Sequence, residues 1–244
     1  MHRLIETKHF VGRRELVAVH SRSSQKRVLA AMTTPDGLKC NTLRKIAVFC
    51  GASSGNSPEY VECARQLGQE MVRRGIGLVY GGGNVGLMGE IAATVYNGLG
   101  EESVIGVIPE ALQPREISGE TVGEIRIVPD MHTRKAMMSA EADAFIGIPG
   151  GFGTLEELLE MVTWQQLGLH TKPVGVLNIS GYYDHLLDFF DHAVEEGFIR
   201  QPSRDIVLQS RDPKELIDRL ENYSPPASII KLALEGKLLH NLRG

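Results

Sequence analysis

The chain is poor in the features that mark specialised protein classes. It has only three cysteines in 244 residues, and Cys40, Cys50 and Cys63 lie 10 and 13 positions apart. That pattern matches neither a disulfide framework nor the ligand spacing of a zinc site, and it reads as three reduced thiols in a cytosol-like compartment. No apolar run approaches the roughly 18 residues that a membrane-spanning helix needs, so no segment is expected to cross a bilayer. Collagen, coiled coil and wholesale disorder are excluded by a composition of 42 % hydrophobic and 23 % charged residues, which is that of an ordinary globular protein. At this length one large α/β domain or two small ones bury enough apolar surface to fold without staples.

Acidic residues are nearly missing from the first 45 positions, which carry 10 Lys+Arg against 3 acids; the remainder carries 16 against 27, so the two parts are +7 and −11. The acidic body excludes a nucleic-acid surface, which depends on neutralising many phosphates with Lys and Arg. The basic head is rich in Arg and Ser and suits either an organelle transit peptide or a disordered leader. Met32 also offers an alternative start. These readings divide the chain into a leader (1–44), a single folded domain (45–222) and a tail (223–244). The expected compartment is cytoplasmic, with organelle targeting by the leader left open.

From Lys45 onward, short β-branched runs ending in Gly or Pro alternate with stretches of helical period, the pattern of βα units around a parallel sheet. About seven strands are expected, at 45–51, 75–82, 103–109, 124–129, 143–151, 172–178 and, more weakly, 205–209. Helices are expected at about 57–74, 85–97, 132–142, 154–168, 183–196 and 213–222, the first and last opened by Ser57-Pro58 and Asp212-Pro213. Most strands lack alternation, so helices cover both faces. The fold class is α/β, a Rossmann-like doubly wound parallel sheet. Pro225-Pro226 ends it, and a short amphipathic segment at 228–239 could dock on the body or on a second subunit.

In an open parallel sheet, ligands bind beyond the carboxyl ends of the strands. Three loops there are rich in Gly. GASSGN (51–56) is either an anion or ribose contact, through Gly51 and Ser53, or simply a tight βα turn. GGGNVGLMGE (81–90) contains Gly81-x-Gly83-x-x-Gly86 between a strand and a helix, which suggests a dinucleotide site. However, the acid that should end the next strand is replaced by Pro109, and a mononucleotide whose phosphate or sugar approaches Gly82 and Gly83 fits better. The third loop, IPGGFGTLEELLEMVTW (148–164), carries the strongest signal: Gly150, Gly151 and Gly153 let a phosphate approach the backbone, and Thr154 starts a helix whose N–H groups face the ligand. Thr154-x-x-Glu157 is also a capping box, so Glu157 reads either as chemistry or as a cap.

Arg134 and Lys135 sit near a helix start, where cations are electrostatically unhelpful. They read as an invitation to an anion or as a solvated basic turn. His132 beside them has no sequence partner for metal or triad chemistry. Glu116, in a polar loop between strands, would be unremarkable alone.

DMHTRKA followed by IGIPGGFGTLEELLEMVTWQQLG, with GGGNVGLMG and PREISGETVGE upstream, resembles the LOG ("Lonely guy") family of cytokinin riboside 5′-monophosphate phosphoribohydrolases. The resemblance covers about Lys45 to Asn222 in unbroken order, and the compound PGGxGTxxE motif with its upstream RK pair is specific. It implies a Rossmann-like fold and hydrolysis of the N-glycosidic bond of an N6-substituted AMP, releasing cytokinin base and ribose 5-phosphate. It also implies no metal or organic cofactor, and a homodimer. Carried over by residue, the substrate contacts are Glu116, Arg134, Lys135, the run Gly151, Phe152, Gly153, Thr154, Leu155, Glu156 and Glu157, and Thr163, with Arg134 and Glu157 as the catalytic pair. Members are often labelled lysine decarboxylases, but nothing here supports a lysine Schiff base for pyridoxal phosphate. The long basic leader and the Pro-Pro tail depart from the family pattern. Two other readings remain: a carrier of molybdenum cofactor on the same fold, which need not keep Arg134 with Glu157, and a nucleosidase acting on plain AMP. Preferred side chain, oligomer size and the fate of the leader are not legible.

Overall fold

The computed structural model describes residues 42–112 and 121–226. Residues 1–41, Cys40 among them, the loop carrying Glu116 and the segment at 228–239 lie outside the described residues. The described residues belong to one compact unit, Met32–Gly244.

Seven strands form the sheet: β1 Lys45–Phe49, β2 Gly77–Tyr80, β3 Val104–Pro109, β4 Glu124–Val128, β5 Ala144–Gly147, β6 Val174–Leu177 and β7 Val207–Ser210. Their order is β4-β3-β2-β1-β5-β6-β7, and every pairing is parallel. The expected doubly wound sheet is therefore present. The chain winds outward from β1 to β4, then returns to pair β5 with the other side of β1, in register from Ile46↔Ala144 to Phe49↔Gly147. This reversal opens a crevice between the carboxyl ends of β1 and β5, the place where ligands bind in such sheets.

Helices α1 (Pro58–Arg74), α2 (Gly86–Leu99), α3 (Met131–Glu141), α4 (Phe152–Leu167), α5 (Asp184–Glu195), α6 (Gln201–Arg204) and α7 (Pro213–Glu221) cover the sheet. Along β1 the side chains alternate between two cores. Ile46 and Val48 pack with Leu67, Met71, Ile91 and Leu216 of α1, α2 and α7; Ala47 and Phe49 pack with Met138, Leu158, Met161 and Leu187 of α3, α4 and α5. Burial on both faces explains the absence of polar alternation.

The two caps expected from the sequence, Ser57 and Asp212, both form, and Asp130 adds a third. Ser57 accepts from Glu59 N–H, Asp130 from Thr133 N–H and Asp212 from Glu215 N–H. α4 differs from expectation. Its cap is Gly151, with no side-chain hydrogen bond, and the helix begins at Phe152, which makes Thr154 its third residue and removes the capping box. The Thr154 side chain instead packs against Gly150, where a Cβ would come within 2.1 Å of its Oγ1.

Candidate active site

The loops after β1, β2 and β5 meet over the crevice. Gly51 N–H donates to Pro149 O at 3.0 Å, joining the first loop to the third. Gly86, at φ 60°, lies so close to Ala52 that a Cβ would reach its carbonyl at 2.4 Å, which joins the first loop to the second. Tyr183 Oη donates to Ile148 O at 2.7 Å and Tyr182 Oη to Gly150 O at 2.5 Å, pinning the β5–α4 turn from beneath.

Between these loops lies a cavity of about 220 Å³, whose wall includes Phe49, Cys50, Gly51, Gly81, Met88, Arg134, Gly151, Gly153, Thr154 and Glu157. A second hollow of about 430 Å³ shares Gly51, Ala52 and Gly151 with it and continues past Ser53, Ser54, Gly55, Tyr60 and Tyr182. Joined through their common wall, they reach the roughly 300–1,000 Å³ typical of small-molecule sites.

Arg134 and Glu157 meet at the cavity wall, Nη1 to Oε1 at 3.4 Å, with their side chains 6 % and 9 % exposed. Arg134 Nη2 also donates to Gly81 O at 3.3 Å, while its Nε has no acceptor among the described residues. A buried donor without a partner is costly, so it is a donor free for a ligand. Gly81 makes the arrangement sterically possible, because a Cβ there would stand 2.2 Å from Arg134 Nη2. The first glycine of the Gly81-x-Gly83-x-x-Gly86 motif thus accommodates a guanidinium.

The amides at the start of α4 open on the same space. The cap makes no side-chain hydrogen bond, and a Cβ on Gly151 or Gly153 would meet nothing within 4 Å. Such a terminus favours an anion through both its N–H donors and the positive end of the helix dipole. Phe152 beside it is 94 % exposed.

Not every residue implied by the resemblance comes to the cavity. Lys135 is buried, and it pairs with Glu156 and Glu160 of α4, so the reading of Arg134 and Lys135 as a solvated basic turn is overturned. The anions that compensate these cations are carboxylates of the protein. Thr163 is exposed two turns further along α4, donates to Leu159 O at 2.8 Å, and borders a separate hollow with Leu159, Phe190 and Val207. Gly82, at φ 82°, packs on Ile108, and Gly83 is buried; neither is among the residues that line the two hollows. Cys50, Met88, Tyr60 and Tyr182 line the space without having been singled out from the sequence. For Tyr182 the signal available was GYYD (181–184), at the end of the 3-10 turn that follows β6.

Burial pushes the Cys50 thiol far up, with the neighbouring Glu157 charge adding to it, and burial pushes Cys63 up to about 12. Both are free and buried, and burial disfavours the thiolate of Cys50 despite its place in the wall. Among the described residues no three His, Cys, Asp or Glu side chains cluster to hold a metal, and no helix is long and apolar enough to cross a membrane.

A family model described as "Possible lysine decarboxylase" matches residues 88–220. The chain is 59 % identical over 182 residues to "Probable cytokinin riboside 5′-monophosphate phosphoribohydrolase LOGL2" of Oryza sativa subsp. japonica, covering 75 % of this chain and 74 % of that one. The chain belongs to the LOG family. Another LOG relative, "Cytokinin riboside 5′-monophosphate phosphoribohydrolase LOG7" of Arabidopsis thaliana, is 58 % identical over 75 % of this chain and 83 % of its own. The sheet also resembles solved structures outside this identity range. A molybdenum cofactor carrier protein of Chlamydomonas reinhardtii has a TM-score of 0.54 at 18 % identity, covering 73 % of this chain and 98 % of that chain. A molybdenum cofactor binding protein of Rippkaea orientalis has a TM-score of 0.54 at 24 % identity, covering 72 % and 94 %. These likenesses concern the fold alone, which the LOG family shares with proteins titled as carriers.

Proposed function

We infer that the protein is a hydrolase that cleaves the N-glycosidic bond of cytokinin riboside 5′-monophosphates to free cytokinin base and ribose 5-phosphate. The observation that carries the reading of the site is the buried Arg134–Glu157 pair beside the uncapped start of α4. Relatives at 53–59 % identity that bear the phosphoribohydrolase name support the reaction.

Breaking a ribosyl C–N bond builds positive charge on the sugar ring. The Glu157 carboxylate stabilises that charge, orients the attacking water and accepts its proton as the C1′–O bond forms. The electron pair of the broken bond leaves with the purine, which takes up a proton. Arg134, with its unpaired Nε, offsets charge on the departing base. The 5′-phosphate is held by the N–H groups of Gly151 to Thr154, and the Ser53 hydroxyl, whose oxygen accepts from Gly55 N–H at 3.2 Å, can donate to it. Ser53, Ser54, Tyr60 and Tyr182 extend the same space.

The working form is proposed as a homodimer in a reducing, cytoplasmic compartment, the latter supported by the free thiols of Cys50 and Cys63. The experiment is incubation with isopentenyladenosine 5′-monophosphate, AMP and isopentenyladenosine in parallel, with released base measured by chromatography. Release from the first above the other two is the expected result. Preferential release from AMP would redirect the protein to the plain nucleotide. Binding of the isopentenyl nucleotide without release would make it a carrier.

A further inference from the structure

Lys135 follows Arg134 on α3, but among the described residues the cavity wall includes Arg134 and not Lys135. Adjacent helical positions diverge by about 100°, and here the second side chain runs along α4. Its ammonium bonds the Glu156 carboxylate and stands 2.8 Å from Glu160 Oε2. The side chain is only 5 % exposed. Burial works against its charge, yet the two carboxylates outweigh burial and hold the Lys135 pKa above the ordinary lysine value.

Glu156 and Glu160 are four positions apart, so they share one edge of α4, and a single cation spans them. Glu157 lies on the same turn, rotated toward Arg134. Without a cation across that edge, the two acids repel each other and add to the negative potential around Glu157. The Arg134–Glu157 pair then remains as a polar contact between α4 and α3.

We propose that Lys135 is a positioning residue for the hydrolysis and not a substrate contact: clamped across Glu156 and Glu160, it sets the rotation of α4 that keeps the Glu157 carboxylate against Arg134. The inference rests on the hydrolase reading of the site. It divides the RK pair into two tasks, with Arg134 facing the substrate and Lys135 aligning the helix that carries the carboxylate.

The test is kcat and KM with isopentenyladenosine 5′-monophosphate for wild type, Lys135→Met, Lys135→Arg, the double variant Glu156→Gln/Glu160→Gln, and that double variant combined with Lys135→Met. A small displacement of a catalytic group costs rate, so Lys135→Met should lower kcat on the order of 10- to 100-fold, with KM within about twofold. Lys135→Arg should recover most of kcat, because a guanidinium also spans two carboxylates. The double variant should lose kcat to a similar degree, and adding Lys135→Met should then change little, since the contact is already gone. A tenfold or larger rise in KM with kcat kept, in both backgrounds, would overturn the proposal and make Lys135 a substrate ligand. Should Lys135→Met fail to fold, the double variant decides, and unchanged kcat there overturns the clamp. No base release by wild type would remove the hydrolase reading and this inference with it, an outcome that the wild-type arm alone distinguishes.

Discussion

Arg134 Nη1 and Glu157 Oε1 stand 3.4 Å apart in nearly complete burial, at the one place where the loops after β1, β2 and β5 meet. Desolvating two charges is expensive, and a buried pair seldom stabilises a fold more than apolar residues of the same volume would. Its position at a cavity wall therefore points to chemistry rather than to stability. Glu157→Gln keeps the shape and leaves an acceptor for Arg134. The expected result is a loss of kcat on the order of 10²-fold or more, with a melting temperature lowered by a few degrees. Steady-state kinetics alongside a melting curve checks both, and near-wild-type turnover would leave the site without its carboxylate.

Gly81→Ala tests how Arg134 is held. The new methyl group would lie 2.2 Å from Nη2, the far end of a side chain that can retreat. The fold should therefore tolerate the change while the guanidinium leaves Gly81 O and Glu157. Turnover should fall at least tenfold, as expected for displacing a positioned group, with little change in melting temperature. An active Gly81→Ala variant would show that this position of the guanidinium is not needed.

Phosphate dependence follows from the uncapped α4 terminus. The 5′-monophosphate should be hydrolysed and the free riboside should not, because the N–H groups of Gly151 to Thr154 have an anion to hold only in the first case. Comparable kcat/KM for the two would place the phosphate elsewhere or make it irrelevant.

Stability should fall on mild acidification. Burial, aided by the Lys172 charge, pulls the pKa of His170 down to about 4 from an ordinary 6.5, and its ring packs 5.2 Å from Phe145. The unfolded chain takes up the proton first. The His170 contribution is thus complete above pH 6.5 and is lost as pH falls from 6.5 toward 4. Melting temperatures should decline through that window, and His170→Gln should flatten the decline above pH 5, where carboxylates contribute little. An unchanged slope in the variant would assign the effect to other groups.

Residues 1–42 should be dispensable for catalysis. Among the described residues the core begins at Leu43 and the cavity wall at Val48. A chain beginning at Leu43 should keep wild-type kcat/KM. A folded but inactive truncation would give the leader a part in the site.

The sequence alone determined the architecture. Strand and helix alternation is written in local signals, since β-branched runs, Ser-Pro and Asp-Pro caps and glycine stops act within a few residues of themselves. The wholly buried strands announced helices on both faces. α6 escaped because a four-residue helix is too short to show a period. The glycine loops were legible as turns at the carboxyl ends of the strands, where residues of all three line one cavity, and the RK pair with PGGxGTxxE as a family signature. What each side chain does was not legible, because it depends on groups brought from distant loops. Thr154-x-x-Glu157 spells a capping box, but the helix starts at Phe152 under a Gly151 cap. Gly81 spells a nucleotide turn until α3 delivers Arg134 to it. Lys135 and Arg134 are neighbours in the chain, yet helical rotation sends one to Glu156 and Glu160 and the other to Glu157. Only the winding order, which sets β5 beside β1, brings those partners within bonding distance.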